Sequence, residues 1–192
     1  MIYNYEKKIL QIKIVYYGPA MSGKTTSIKY LFAYFNKEDK VTSIDNTVGR
    51  TLFFDFGVLP FKGAEWNLNC LVYTATGQDF YASTRPATLN GVDGIIFVAD
   101  SRVQCLHHNL RSWNELRSLF GNKAHTIPII ISLNKYDIEN LTKLSEEGFL
   151  NEIDFSSFKK IYINKTIAIK GQGILESFEQ LIKFIFPQLT IR

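Results

Sequence analysis

Residues 10–25 read LQIKIVYYGPAMSGKT, and this stretch decides the fold. Its first half is rich in β-branched and aromatic residues, which is typical of a strand. Its second half, from Gly18 to Thr25, has the spacing GxxxxGK[ST]. Apolar residues then recur with helical spacing from Ile28 to Phe35, so a helix is predicted to begin right after the turn. A glycine turn between a strand and a helix predicts the phosphate-binding loop of a P-loop NTPase.

The chemistry of this loop fits a nucleoside triphosphate. Its glycines allow a tight turn that brings backbone N–H groups against phosphate oxygens, and the helix N-terminus adds partial positive charge. Lys24 can reach the terminal phosphates, and the Thr25 hydroxyl can bind Mg²⁺. The positions predicted to contact the nucleotide here are Gly18, Ala20, Ser22, Gly23, Lys24, Thr25 and Thr26.

The rest of the chain alternates between strand and helix patterns. The predicted strands are 10–17, 51–59, 66–73, 94–99, 127–133 and 161–169, and further helices are predicted at 106–120 and 174–186. This alternation predicts an α/β fold with a mainly parallel sheet and helices on both faces. The polar segment 36–49 and the stretch 74–90 are predicted to be long loops. The stretch 139–160 stays unassigned, since Ser145 could open a short helix but Gly148 argues against it.

Composition limits the class of protein. The 192 residues, 46% of them hydrophobic, fit one domain with a sizeable core. The net charge of +4 is too mild for a dedicated nucleic-acid binder. Cys70 and Cys105 have no CxxC spacing, which argues against a zinc site and a disulfide framework. Since no signal peptide or membrane-length apolar run is present, we expect a cytoplasmic protein without an integral membrane segment.

The motif Asn134-Lys135-Tyr136-Asp137 follows the strand pattern at 127–133. Loops at the carboxyl ends of such strands line the ligand crevice. The Asp137 carboxylate can accept hydrogen bonds from N1–H and the exocyclic amine of guanine, whereas adenine would leave it unpaired at a cost. Asn134 can bond the purine edge, and the stem of Lys135 can cover one face of the ring. The motif therefore favours guanine over adenine.

These motifs resemble those of the Ras-like small GTPases, and among them the bacterial polarity and gliding GTPases of the MglA type. The resemblance covers nearly the whole chain. The matching parts are KIVYYGPAMSGKTT at 13–26, RTLFFDF at 50–56, TATGQDFY at 74–81, GVDGIIFVADS at 91–101 and NKYD at 134–137.

The resemblance implies one Ras-like G domain over residues 1–192, with a six-stranded sheet. It also implies Mg²⁺-dependent binding of GTP or GDP, hydrolysis of GTP, and two conformations that depend on the nucleotide. The implied partners are a Roadblock-type GTPase-activating protein and an unidentified exchange factor and effectors. The implied role is to place motility machinery, with recruitment of the protein to a cell pole.

The resemblance also assigns candidate catalytic residues. Thr51 matches the first-switch threonine, whose hydroxyl would bind Mg²⁺ when the γ-phosphate is present. Arg50 matches an arginine that this subfamily supplies from its own chain; the alternative is a solvated loop charge. Gly77 matches the glycine whose N–H contacts the γ-phosphate, and Gln78 the glutamine that orients the attacking water. With Lys24, residues 50, 51 and 78 form the predicted catalytic set.

Two positions depart from the Ras-like pattern. Thr74 stands where most Ras-like proteins have an aspartate that orders a Mg²⁺-bound water, although the MglA type lacks it too, and a weaker hold on Mg²⁺ is expected. The purine loop is Ile167-Ala168-Ile169, in which only the Ala168 N–H is predicted to serve the guanine oxygen. These departures keep an alternative open, a GTP- or GDP-binding interaction protein without significant turnover. A kinase or ATP-driven motor is disfavoured by the guanine motif.

Overall fold

The computed structural model describes residues 1–46, 50–139 and 141–188, without the side chains of 43–46, 50–54 and 79–81. The strands are β1 (Ile2–Asn4), β2 (Ile9–Tyr17), β3 (Val41–Asn46), β4 (Arg50–Phe61), β5 (Asn67–Thr74), β6 (Gly94–Asp100), β7 (Pro128–Asn134) and β8 (Lys160–Lys165). The helices are α1 (Lys24–Tyr34), α2 (Arg85–Leu89), α3 (Leu106–Phe120), α4 (Glu146–Glu152) and α5 (Ile174–Ile185). Short 3₁₀ turns occupy 38–40, 79–84, 103–105, 121–126 and 168–170.

One mixed sheet organises the molecule, with the order β3-β4-β5-β2-β6-β7-β8 and β1 beside β2. The four pairings from β5 to β8 are parallel, whereas β4 runs antiparallel to both β3 and β5. Every residue of β6 and β7 is buried, because helices cover both faces of these apolar strands. Trp113 of α3 lies in the core on one face, and Phe178 of α5 lies in the core on the other. The predicted α/β class is confirmed.

The six predicted strands are present as β2 and β4–β8, and the described residues add β1 and β3 to them. The prediction of a loop over 36–49 is therefore wrong for residues 41–46. This segment pairs antiparallel with β4, from Val41 opposite Gly57 to Asn46 opposite Arg50. An edge strand takes its hydrogen bonds from one neighbour, so a mostly polar segment can join a sheet without the apolar alternation that predicts a strand.

Other boundaries differ in smaller ways. The stretch 74–90, predicted to be a loop, contains a 3₁₀ turn and the five-residue helix α2. The last strand ends at Lys165, because residues 168–170 turn back towards the phosphate loop. The short helix that the sequence left open after Ser145 is present as α4, and the Ser145 hydroxyl accepts a hydrogen bond from the Gly148 N–H at 2.9 Å. Among the described residues, none of the helices has both the length and the apolar character needed to cross a bilayer.

Candidate functional site

The phosphate loop follows β2, and its two glycines cannot be replaced without strain. Gly18 has φ 138°, and a Cβ there would lie 2.2 Å from the carbonyl oxygen of Val98. Gly23 has φ 109°, and a Cβ there would lie 2.1 Å from the Asn134 amide nitrogen. The two glycines thus let the loop pack closely against β6 and Asn134 of the guanine motif, so the loop can wrap its backbone around a phosphate group.

Lys24 is buried at the centre of this loop. Its Nζ donates hydrogen bonds to the carbonyl oxygens of Gly18 at 2.9 Å and Pro19 at 2.7 Å. Burial lowers the pKa of Lys24 to about 7; the positive charge of Arg85 lowers it further, and Asp55 opposes both. The Lys24 ammonium is bonded to neutral carbonyl oxygens. A negatively charged ligand beside it would stabilise the protonated form of Lys24.

A carboxylate that the sequence reasoning missed lies beside the phosphate loop. Thr25 donates a hydrogen bond from Oγ1 to Asp55 Oδ2 at 2.7 Å, and Thr74 Oγ1 lies 3.3 Å from the same oxygen. The Asp55 N–H in turn donates to Thr74 Oγ1 at 2.7 Å. The alternation of strand residues puts Asp55 on the same face as Gly57 and Leu59, and the structure shows that this face is buried. An acidic residue on an inward face indicates a specific partner.

The second switch motif comes close to the phosphate loop at one glycine. A Cβ on Gly77 would lie 2.3 Å from the backbone nitrogen of Ala20, so the two backbones are nearly in contact. Gln78 follows with an exposed side chain, and its N–H donates to Thr76 Oγ1 at 3.3 Å. The structure therefore brings Gly77 to the phosphate loop and leaves the Gln78 amide at the surface beside it.

Two predicted residues lie outside the described side chains. The backbones of Arg50 and Thr51 belong to β4 and face Asn46 and Asp45 of β3. The predicted contacts of Arg50 and Thr51 with phosphate and Mg²⁺ stay predictions.

On the purine side, one buried amide joins three loops. Asn134 is 2% exposed, and its Nδ2 donates to the Ser22 carbonyl oxygen at 2.8 Å. Its Oδ1 accepts from the Ala168 N–H at 2.9 Å and from Thr166 Oγ1 at 3.3 Å. Two further predicted residues, Ser22 and Thr26, border this cluster. The Ser22 hydroxyl is buried and has no hydrogen-bond partner among the described residues. Thr26 lines a surface cavity together with Ala168.

Lys135 has a left-handed backbone, with φ 65°, and its side chain is held by a second carboxylate that the sequence reasoning missed. Its Nζ donates to Asp100 Oδ2 at 2.7 Å, and Arg102 Nη2 donates to the same oxygen at 2.7 Å. Burial by itself would raise the pKa of Asp100, but hydrogen bonds from Arg102 and Lys135 outweigh it and lower the pKa to about 2. Asp100 ends β6, at the edge where the ligand crevice was expected.

Asp137 lies at the mouth of the same crevice. Its Oδ2 is 3.6 Å from the Nζ of Lys170, which ends the 3₁₀ turn that begins at Ala168. The Asp137 carboxyl is partly exposed, so it can still meet a ligand from solvent. The guanine motif and the purine loop therefore lie side by side, as the order of the parallel strands requires.

Comparison with known proteins agrees with this geometry. Residues 1–185 match the model of the ADP-ribosylation factor family. The chain is 32% identical to the mutual gliding-motility protein MglA of Myxococcus xanthus, over 97% of this chain and 96% of that protein. It is also 32% identical to the GTP-binding nuclear protein GSP1 of Encephalitozoon cuniculi, over 85% of this chain and 72% of that protein. ADP-ribosylation factor-like protein 6 of Caenorhabditis elegans is 28% identical, over 88% and 84% of the two chains. With the phosphate loop and the guanine motif at one edge of the sheet, this chain belongs to the ADP-ribosylation factor family of Ras-like GTPases.

Proposed function

We propose that the protein is a molecular switch that binds GTP with Mg²⁺ and hydrolyses it to GDP within a single G domain over residues 1–192. The observation that carries this proposal is the Asn134 amide, which bonds the phosphate loop through Ser22 and the purine loop through Ala168. One buried residue thereby sets the distance between the predicted phosphate and base subsites. Small GTPases generally bind GTP or GDP together with Mg²⁺.

Guanine would be selected by the loop that follows β7. The partly exposed Asp137 carboxylate would accept from N1–H and the exocyclic amine, and adenine would leave it unpaired. The stem of Lys135, fixed through Asp100, would cover one face of the ring. The Ala168 N–H, which donates to Asn134 Oδ1 at 2.9 Å in this structure, would turn to the guanine oxygen when the base binds.

The phosphates would lie in the glycine cradle, with Lys24 beside the terminal ones. Thr25 would bind Mg²⁺ through its hydroxyl, and Thr51 would add a second hydroxyl in the GTP state. When bound, Mg²⁺ supplies positive charge at the β- and γ-phosphate oxygens. Asp55 accepts from Thr25 and so orients that ligand. The presence of both Arg50 and Gln78 in the sequence favours hydrolysis over the alternative of binding without turnover.

Hydrolysis would depend on positioning and electrostatics. The Gly77 N–H would contact the γ-phosphate, and Gln78 would orient the attacking water. The Arg50 guanidinium would stabilise charge that develops on the leaving oxygens. A Roadblock-type activating protein would accelerate this step by ordering the two switch segments, 37–60 and 74–90, and an exchange factor would restore GTP.

The cellular role proposed here is regulation of polarity or motility, with recruitment to a cell pole. It is supported by the 32% identity to the gliding-motility protein of Myxococcus xanthus along almost the whole of both chains. The effectors would then recognise the conformation of the GTP state.

The test is single-turnover conversion of GTP with protein in excess and Mg²⁺ present, with ATP in parallel. We expect conversion of GTP alone, and faster conversion once a Roadblock-type protein is added. In Asp137→Ala, affinity for GTP should fall and the preference for GTP over ATP should shrink, because the carboxylate that adenine would leave unpaired is gone. Equal conversion of ATP would contradict guanine selection. Tight GTP binding with no conversion, even with the added protein, would support the interaction protein instead.

A further inference from the structure

The second switch loop is held by a buried arginine to which the motif comparison gives no role. Arg85 begins α2 and is 5% exposed. Its Nε donates to the Thr76 carbonyl oxygen at 2.9 Å, and its Nη2 donates to the Gln78 carbonyl oxygen at 3.1 Å. The two bonds lie on either side of Gly77, so one guanidinium fixes the backbone that would face the γ-phosphate.

The Arg85 guanidinium is also linked, through Glu115, to Tyr17 in the core of the protein. Arg85 Nη1 forms an ion pair with Glu115 Oε2 of α3. The same carboxylate oxygen accepts a hydrogen bond from the Tyr17 hydroxyl at 2.9 Å. Tyr17 is the last residue of β2, directly before the phosphate loop. Arg85 therefore connects the second switch loop to the same strand that carries the phosphate loop.

A cavity lies beside the loop. Gly77 and Gln78 line this cavity of about 410 Å³, which Ala20, Arg85 and Glu115 also border. On the cavity side, the hydrogen bonds from Arg85 hold the backbone of residues 76–78. A planar guanidinium can donate to three acceptors in fixed directions, which a lysine ammonium cannot reproduce.

We propose that Arg85 is a positioning residue for GTP hydrolysis, which holds the backbone of residues 76–78 so that Gln78 can orient water, with Glu115 as its anchor. This inference rests on the proposed function. It makes hydrolysis depend on Arg85 through Gln78, while binding of GDP depends on the phosphate and purine loops instead.

The main experiment compares Arg85→Lys with the wild type by single-turnover hydrolysis of GTP and by equilibrium binding of GDP. We expect hydrolysis about 10- to 100-fold slower, since displacement of a reacting group by roughly 1 Å has an effect of this size, and GDP affinity within about threefold. Arg117→Lys is the matched control. Arg117 lies on α3, as Glu115 does, and pairs with Asp154 at 2.5 Å and Ser157 at 3.1 Å, and its variant should keep the wild-type rate.

Two further measurements separate positioning from a general structural effect. In a Gln78→Leu background, Arg85→Lys should slow hydrolysis little further, because the two residues act in one step. Hydrogen exchange in residues 74–84 should become faster in Arg85→Lys, with β6 and β7 unchanged. Should Arg85→Lys fold poorly, Glu115→Gln keeps the side-chain shape and should slow hydrolysis in the same direction.

An unchanged rate in Arg85→Lys would overturn the proposal, and so would a parallel loss of hydrolysis and GDP binding. Multiplicative effects with Gln78→Leu would overturn it as well. The wild type is measured first, so failure of the proposed function is recognised separately as absence of GTP conversion. In that case the hydrolytic role of Arg85 falls with the proposed function, and exchange in 74–84 decides only whether Arg85 holds the loop: faster exchange in Arg85→Lys supports that hold, and unchanged exchange overturns it.

Discussion

The purine side and the second switch loop are held in opposite ways. Asn134 is buried at the end of a central strand and bonds to groups on two other loops, so its geometry forms together with the core. Gln78 has an exposed side chain and directly precedes the 3₁₀ turn at 79–84. Its backbone carbonyl oxygen accepts a hydrogen bond from Arg85. If the proposed roles hold, this difference predicts that base recognition is coupled to folding, whereas the geometry for hydrolysis can change without unfolding.

The largest effect is expected from Asn134→Ala. This change leaves the Ser22 carbonyl and the Ala168 N–H without their buried partner, and each unsatisfied group costs about 1–3 kcal/mol. We expect GDP affinity to fall at least roughly 100-fold and the free energy of unfolding to fall by about 3 kcal/mol. Calorimetric binding and urea unfolding measure the two quantities.

Asn164→Ala is the control for that change. Asn164 is buried as well, and its amide bonds to the Gly173 carbonyl oxygen at 3.2 Å and to the Ser177 hydroxyl at 3.0 Å. Its variant should lose stability and keep most of its GDP affinity. If both variants lost affinity equally, the purine side would have no special coupling to folding.

Asp55→Asn is expected to have the next largest effect, on the response to Mg²⁺. Loss of the charge that orients the Thr25 hydroxyl should weaken Mg²⁺ binding about 10- to 100-fold. GDP dissociation, followed over a series of Mg²⁺ concentrations, should shift to higher concentrations, while dissociation in chelator stays unchanged. Asp93→Asn removes a carboxylate that instead accepts from the Lys13 N–H at 2.8 Å, and it should leave the Mg²⁺ response as it is. An identical Mg²⁺ response in Asp55→Asn and wild type would refute this role.

Asp100→Asn should change stability in acid. The pKa of Asp100 is lowered to about 2 in the folded protein, so the carboxylate contributes stability above its ordinary pKa near 3.8 and loses it as pH falls towards 2. We expect the wild type to be more stable by about 2 kcal/mol at pH 7, with the difference vanishing near pH 2. Urea unfolding at a series of pH values tests this. Asp154→Asn removes a carboxylate from an exposed ion pair and should change the pH dependence of the free energy of unfolding far less. If the difference between Asp100→Asn and the wild type did not depend on pH, the lowered pKa of Asp100 would be disproved.

The smallest effect is expected from Tyr17→Phe. This change removes one hydrogen bond to Glu115 and keeps the ring in the core, so Glu115 still pairs with Arg85. Loss of a single hydrogen bond costs about 1 kcal/mol, which predicts hydrolysis slower by up to roughly fivefold. Single-turnover assays measure it. A larger loss than in Arg85→Lys would mean that Tyr17, and not the arginine, controls the loop.

Sequence patterns predicted correctly those elements that are determined by residues close together in the chain. The phosphate loop, the strands of the buried sheet and the guanine motif depend on neighbours within a few positions, and the structure has these elements where they were predicted. The predictions missed β3, because an edge strand is defined by its partner. They also missed Asp55 and Arg85, each of which has one partner 30 positions away, Thr25 for Asp55 and Glu115 for Arg85.

The sequence by itself determined the class of fold, the phosphate cradle and the base-reading loop, because glycine spacing and apolar periodicity act over short distances. Only the tertiary structure decided which carboxylate orients Thr25 and which cation holds the second switch loop. Asp55 and Arg85 are ordinary charged residues in the sequence. Asp55 acquires its role because the pairing of β4 with β5 brings it within hydrogen-bond distance of Thr74, and its carboxylate also reaches Thr25 after the phosphate loop. Arg85 acquires its role because the fold brings its buried guanidinium to Glu115 of α3.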